Sequence, residues 1–273
     1  MLRLLPLLLT CLLAISAAAD NGVNWQRVRV LVYTKNGKGY VHDNIPSAVA
    51  CLQRLGKEHG FAVEVSDQPS TFTEETLRRF TLLIFTSTNN DVFDSDAQRL
   101  AFRRYIEAGG GFVGIHSVVG TERNWTWFKR LLGGTFLWHP RFQSYRLTVL
   151  DAKHPTMQGL PTSWQRADEC YFMKEMSPGP TATLAHDLTS LDTTERQKIS
   201  VSAGSYASLY PAAWYHPYDG GHTWCTALGH AKAAYEDPTF VRHLFQGIQY
   251  IAAQVRPLDY RRAYATDRDT PVQ

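Results

Sequence analysis

The chain has 273 residues, 44% of them apolar and 19% charged, an ordinary globular composition with ample length for a core in one large domain or two small ones. Its net charge of +3 comes without a basic run or a basic-aromatic stripe, so nucleic acid is not an expected partner. No apolar stretch after residue 20 is long enough to span a bilayer.

The first residues read as a leader. Arg3 supplies a positive start, residues 4–15 are nearly all apolar, and Ala17-Ala18-Ala19 offers small side chains for cleavage. The expectation is a signal peptide over residues 1–19, a mature chain starting near Asp20, and export to the periplasm or beyond; an uncleaved anchor would need a longer run. Cys11 after Leu8-Leu9-Thr10 only loosely matches a lipoprotein box. Cys51, Cys170 and Cys225 remain, an odd number that allows at most one disulfide. Without a C-x-x-C spacing a cysteine zinc site is not expected, and Cys51 and Cys225 fall in apolar patterns that suit buried, inert thiols.

In chain order, residues 28–33 are apolar and β-branched, a buried strand. A polar loop carrying His42 follows, and Asp43 or Asn44 can cap a helix with Ile45, Val49, Leu52 and Leu55 on one face. Residues 61–65 and 82–86 are further strands, the second lacking the polar alternation of a half-exposed one. Ser95 and Gln98 stand at capping-box spacing before a helix that Gly109 ends. The short apolar strand after these glycines finishes on His116. This alternation predicts an α/β fold, a doubly wound, mostly parallel sheet with right-handed crossovers.

After residue 120 the pattern loosens. A short helix beginning around Trp125 and Trp127 ends at Gly133-Gly134, and prolines and glycines break the middle into pieces. Residues 145–150, 181–185, 199–201, 212–215 and 223–228 read as additional strands of the C-terminal half. Residues 238–253 form a closing amphipathic helix, and 255–273 a polar tail expected to fray. The main domain is expected over residues 26–254.

Histidine placement is the informative feature. His42 lies in the first βα loop, His116 ends the central strand, His139 and His154 precede prolines, and His230 follows a strand end. Strand C-termini are where open α/β sheets bind ligands. Asp168 and Glu169 are adjacent, so in a strand only one can face a pocket. One carboxylate with two or three histidines could hold a divalent metal such as zinc, manganese or nickel, or act as a base and its orienter; spacing does not choose. Residues 114–118 have the placement of a nucleophile elbow, but His116 stands where a cysteine or serine belongs and Val118 replaces the usual glycine, which argues against glutamine amidotransfer.

Several stretches together resemble the trehalose-utilisation, or ThuA-like, family: residues 37–45, 110–117, 125–127 with 132–136, His139-Pro140, His154-Pro155 with 159–161, 168–171, 211–214, and 226–230 with 235–237. The resemblance runs from about residue 28 to residue 253. It departs at residues 220–226 and in the long stretch 186–208. It implies a flavodoxin-like fold similar to class I glutamine amidotransferases without their cysteine. It also implies carbohydrate metabolism, since members accompany dehydrogenases that make 3-keto-glucosides.

A 3-keto group acidifies the C2 proton, which a histidine could remove while a metal or histidinium holds the enediolate. His116 is then the expected base or ligand, Glu169 its carboxylate partner, and His42, His139 and His230 the ligands or electrophilic partners. Trp125, Trp127 and Trp214 are expected to stack on a small-molecule carbohydrate. The competing reading is a non-catalytic carbohydrate-binding protein using the same pocket; a homo-oligomer stays open.

Overall fold

The computed structural model describes residues 22–202, 204 and 207–273; the expected leader and Cys11 lie outside the described residues. Eleven strands alternate with six α-helices: β1 (Arg29–Tyr33), α1 (Ile45–His59), β2 (Ala62–Ser66), α2 (Glu74–Leu77), β3 (Leu82–Thr86), α3 (Asp96–Glu107), β4 (Gly111–Ile115), α4 (Thr126–Leu132), β5 (Thr135–Trp138), β6 (Gln143–Val149), β7 (Ser163–Asp168), β8 (Phe172–Lys174), β9 (Thr181–Asp187), α5 (Thr193–Ser202), β10 (Leu209–Tyr218), β11 (Gly221–Thr226) and α6 (Pro238–Gln254). Nine strands make one sheet in the order β2-β1-β3-β4-β11-β10-β9-β6-β7, and β5 pairs with β8 separately. The first five are parallel. From β11 onward the neighbours run antiparallel.

The parallel half follows from period-two burial on both faces. Val30 and Val32 of β1, Leu82 and Ile84 of β3, and Val113 and Ile115 of β4 join one core, shared with α1 and α6. Leu31, Tyr33, Leu83, Phe85 and Phe112 join the other, with α3 and α4. The capping box at α3 forms as expected: the Gln98 N–H donates to Ser95 Oγ, and Gln98 Oε1 accepts from the Ser95 N–H at 3.2 Å. Gly109 then turns the chain at φ 99°, a conformation that excludes most side chains. Gly114 lets β4 lie close to its neighbour, since a Cβ there would meet Cys225 Sγ at 2.9 Å.

Several expectations change. Residues 199–201 lie in α5, not in a strand: Asp192 Oδ1 accepts the Thr194 N–H at 2.9 Å and starts a helix that the short β-branched window does not override. Asn44 precedes α1 but its side chain makes no cap bond; it donates instead to the carbonyls of Gly229 and His230, at 2.7 and 3.0 Å. The tail is not frayed. Fully buried Arg103 donates to the carbonyls of Arg268 and Thr270, Glu107 accepts the Ala265 N–H at 3.1 Å, and the Trp125 indole donates to Arg268 O at 3.0 Å. Cys51, Cys170 and Cys225 are all free and buried. Among the described residues no helix is long and apolar enough to cross a membrane.

Candidate functional site

The order β2-β1-β3-β4 reverses direction beside β1, and the loops that leave β1, β3, β4 and β11 gather over the strand ends there. Ile115 is still extended, and His116 turns abruptly at φ 57° into a 3-10 turn over His116–Gly120. That left-handed backbone is costly for a residue with a Cβ and is typical of site residues. It sends the imidazole over the strand ends. His116 Nδ1 donates to Ala227 O at 3.0 Å, and because a carbonyl only accepts, Nε2 is left bare.

His42 arrives from the β1 loop. Ser117 Oγ donates to Thr88 O at 3.1 Å, so it can only accept from His42 Nδ1, 3.2 Å away, and His42 Nε2 is also bare. The two bare nitrogens face each other at 3.1 Å. His230 Nδ1 stands 3.3 Å from His116 Nε2 and 3.0 Å from Glu169 Oε2, which is itself 3.7 Å from His116 Nε2. Burial pulls the His116 pKa down, and it pulls His42 down to about 3 with help from the neighbouring imidazoles, so both rings are neutral. The hydrogen bond to Glu169 raises His230.

Adjacent Asp168 and Glu169 divide their work. Glu169 faces the cluster. Asp168, fully buried, accepts the backbone N–H groups of Gly229 and His230 at 2.9 and 3.1 Å and the Arg166 Nε–H at 2.8 Å. Burial pushes its carboxyl up, but Arg166, His116 and the Gly229 N–H outweigh that and hold it ionised. Asp168 and Asn44 therefore grip the Gly229-His230 segment from both of its polar sides.

One donor atom each from His42, His116, Glu169 and His230 lies within 4.8 Å of all the others. Four ligands at about 2.1 Å around a tetrahedral ion stand about 3.4 Å apart. Four of the six separations, 3.0 to 3.7 Å, fit that figure, and all six lie within 4.8 Å. The bare Nε2 atoms of His42 and His116 repel each other unless an electrophile sits between them, and the hydrogen bonds that fix their Nδ1 atoms are the usual support for ligating imidazoles. The residues present thus suit a divalent cation with N/O ligands.

His139 stands one step out: its Nδ1 donates to Pro140 O at 2.8 Å, and its Nε2 is 3.6 Å from the other oxygen of Glu169. Its ring stacks on Tyr171, whose hydroxyl oxygen stands 3.1 Å from His116 Nε2. Trp125, Trp127 and Trp214 do not meet the expectation of sugar stacking. All three are buried in the apolar core, with indole N–H groups donating to Arg268 O, Asp219 Oδ2 and Leu132 O. Above the cluster opens a cavity of about 460 Å³ lined by Tyr40, His42, Asn89, Ser117, Gly120, Arg123, Phe136, His139, Glu169, Tyr171 and His230. His116, 0% exposed, lies beneath its floor. A cavity of about 440 Å³ near the start of β1, between Arg27, Arg79 and Arg256, carries no such cluster.

Sequence reasoning did not single out Tyr40, Asn89, Arg123 or Phe136 as pocket residues, nor Asp168 and Asn44 as clamps. Asn44 carries a weak signal, standing two residues after His42 at a helix start where it was free to do something other than cap.

The model of the ThuA family, described as trehalose utilisation, matches residues 29–251. No curated protein matches the chain. A solved ThuA-like protein from Bacteroides uniformis superposes with a TM-score of 0.69 at 20% identity, covering 87% of this chain and 96% of that one. A ThuA-like protein from Parabacteroides merdae gives 0.64 at 19% identity, covering 84% and 91%. A protein from Thermoplasma acidophilum described as a GMP synthase subunit gives 0.50 at 14% identity, covering 83% and 94%, a likeness of fold alone. In this chain that fold carries a histidine, not a cysteine, at the end of its central strand, and the family match extends across nearly all of the sheet: the chain belongs to the ThuA, or trehalose-utilisation, family.

Proposed function

We propose that this chain is an exported enzyme of carbohydrate metabolism that removes the C2 proton of an oxidised, 3-keto sugar or glycoside, with a divalent metal held by His42, His116, Glu169 and His230. The observation that carries the reading is the pair of bare Nε2 atoms, His42 and His116, aimed together with His230 Nδ1 and Glu169 Oε2 at one spot under an open cavity. A bound ion there supplies Lewis acidity, lowering the cost of negative charge on the oxygens of the enediolate.

The protein's own groups do the rest. His116 is sealed below the cavity floor, which favours the role of ligand over that of base. His139 lines the cavity, and its Nδ1 is tied to a carbonyl, so Nε2 is free to take the C2 proton, with Glu169 Oε1 3.6 Å away to balance the charge it gains. The proton then returns to a neighbouring carbon in an isomerisation, or the C1 substituent leaves with the electron pair. Tyr171 and Phe136, with ring centroids 4.7 Å apart, form one apolar side of the cavity.

The test uses untagged protein. Elemental analysis is expected to find one zinc, manganese or nickel per chain. Incubation with 3-keto-trehalose in deuterated water is expected to exchange the C2 proton. Absence of both overturns the proposal, and sugar binding without exchange favours a non-catalytic carbohydrate-binding protein.

A further inference from the structure

The wall of the cavity away from the imidazoles is built around Arg123. Its Nε–H donates to Gly120 O at 2.9 Å, and its Nη2 donates to Asn89 Oδ1 at 3.2 Å. The guanidinium carbon lies 5.4 Å above the Phe136 ring. Asn89 is held in turn, donating to Tyr40 O at 3.3 Å. The guanidinium is therefore fixed in position and direction. Among the described residues it is the one Arg or Lys that lines this cavity.

Among the described residues this cation has no counter-charge within ion-pair distance. The carboxylate next to it in sequence, Glu122, accepts from Arg99 at 2.7 Å and from the Val92 N–H at 2.8 Å, turned away from the cavity. Glu169 belongs to the imidazole end, with His230 and His139. No carboxylate among the described residues forms an ion pair with Arg123. Burial lowers its pKa, the mark of a charge partly stripped of water. An arginine stays charged in such a place, and its planar fork suits a carboxylate or phosphate better than any hydroxyl.

We propose that the sugar taken into this cavity carries an anionic oxygen group, a carboxylate or a phosphate ester, that pairs with Arg123 while the ring's oxidised end faces Glu169 and His230. The inference rests on reading the cavity as a sugar site and adds the charge class of the substrate. Filling the metal position would leave the cavity net positive, which favours such a ligand further.

Calorimetric titration of the purified protein with methyl glucuronoside, glucose 6-phosphate and methyl glucoside tests it. At least one of the two anions is expected to bind about tenfold or more tightly than the neutral glucoside, the gain a charged hydrogen-bonded pair provides. The tighter of the two identifies the group as carboxylate or phosphate. The preference is expected to shrink as salt is raised, to persist in part in Arg123→Lys, and to vanish in Arg123→Met; thermal melting of each variant checks its fold. Equal binding of all three ligands, binding of none, or a preference that survives Arg123→Met overturns the inference. The wild-type comparison and its salt dependence need no variant. Titration reads binding without turnover or metal. Proton exchange without anion preference therefore sinks this inference alone, and anion preference without exchange sinks the proposed reaction alone.

Discussion

His116 and His186 are both fully buried, and burial lowers the pKa of each, yet one sits in a candidate site and the other in a core. His116 stands just past the end of β4, with a carbonyl on Nδ1 and His42, His230 and Tyr171 around Nε2. His186 stands inside β9; neither of its ring nitrogens has a hydrogen-bond partner among the described residues, and the Tyr145 ring lies 5.3 Å away. Burial by itself therefore does not mark chemistry in this molecule. What distinguishes the site is several polar atoms with fixed tautomers converging beyond the strand ends, where the backbone turns and a cavity opens.

The sharpest way to break the contrast is to remove each region's central ring and read both activity and stability. His116→Ala is expected to lower C2 proton exchange about 10³-fold or more and to release the metal, measured by deuterium incorporation and elemental analysis. Trp125→Ala should do the opposite. It opens a cavity among Phe93, Phe102, Trp127 and Phe128 and is expected to cost about 3–5 kcal/mol in urea unfolding, with sugar affinity unchanged. A loss of sugar affinity there, at a denaturant concentration where the variant is folded, would restore Trp125 as a binding residue.

The same contrast explains what could be read in advance. Runs such as Leu82–Thr86 are apolar without alternation and announce a strand covered on both sides. The loop histidines at 42, 116 and 230 follow from strand ends in a parallel sheet. Strand alternation alone did not choose between Asp168 and Glu169, and the clamp role of Asp168 was not legible, because it depends on Arg166 and on two backbone N–H groups 61 and 62 residues away. The tryptophans misled because large aromatic rings look alike in sequence whether they line a pocket or fill a core. The tail misled because what ties it down is largely its own carbonyls, which no side-chain pattern reveals, accepting from Arg103 and Arg104.

Asp168 sharpens the comparison, since it touches the site only through backbone. Asp168→Asn keeps the shape but removes one acceptor oxygen from the Gly229 and His230 clamp and the negative charge from Arg166's 2.8 Å partner. Metal affinity is expected to fall about 10–100-fold, measured by competition with a chelator, while the ligands themselves are untouched. An unchanged affinity would mean that Asn44 alone holds the His230 segment.

The smallest expected effect isolates the core histidine. Burial holds the His186 pKa at about 3, against about 6.5 in an unfolded chain. Between those values the unfolded state binds a proton that the native state does not. The native state therefore keeps its full stability above pH 6.5 and loses it as the pH falls, at about 1.4 kcal/mol per pH unit from this group. His243, also held at about 3 by burial, adds to the same acid limb. His186→Leu removes one titration and the two unpartnered ring nitrogens with it. The variant is expected to gain about 2 kcal/mol on the wild type at pH 5 relative to their difference at pH 8, measured by urea unfolding at both values. Parallel stability curves from pH 8 to pH 5 would mean that His186 takes up its proton without unfolding, and the distinction between a silent core imidazole and a chemically poised one would then have to rest on the site alone.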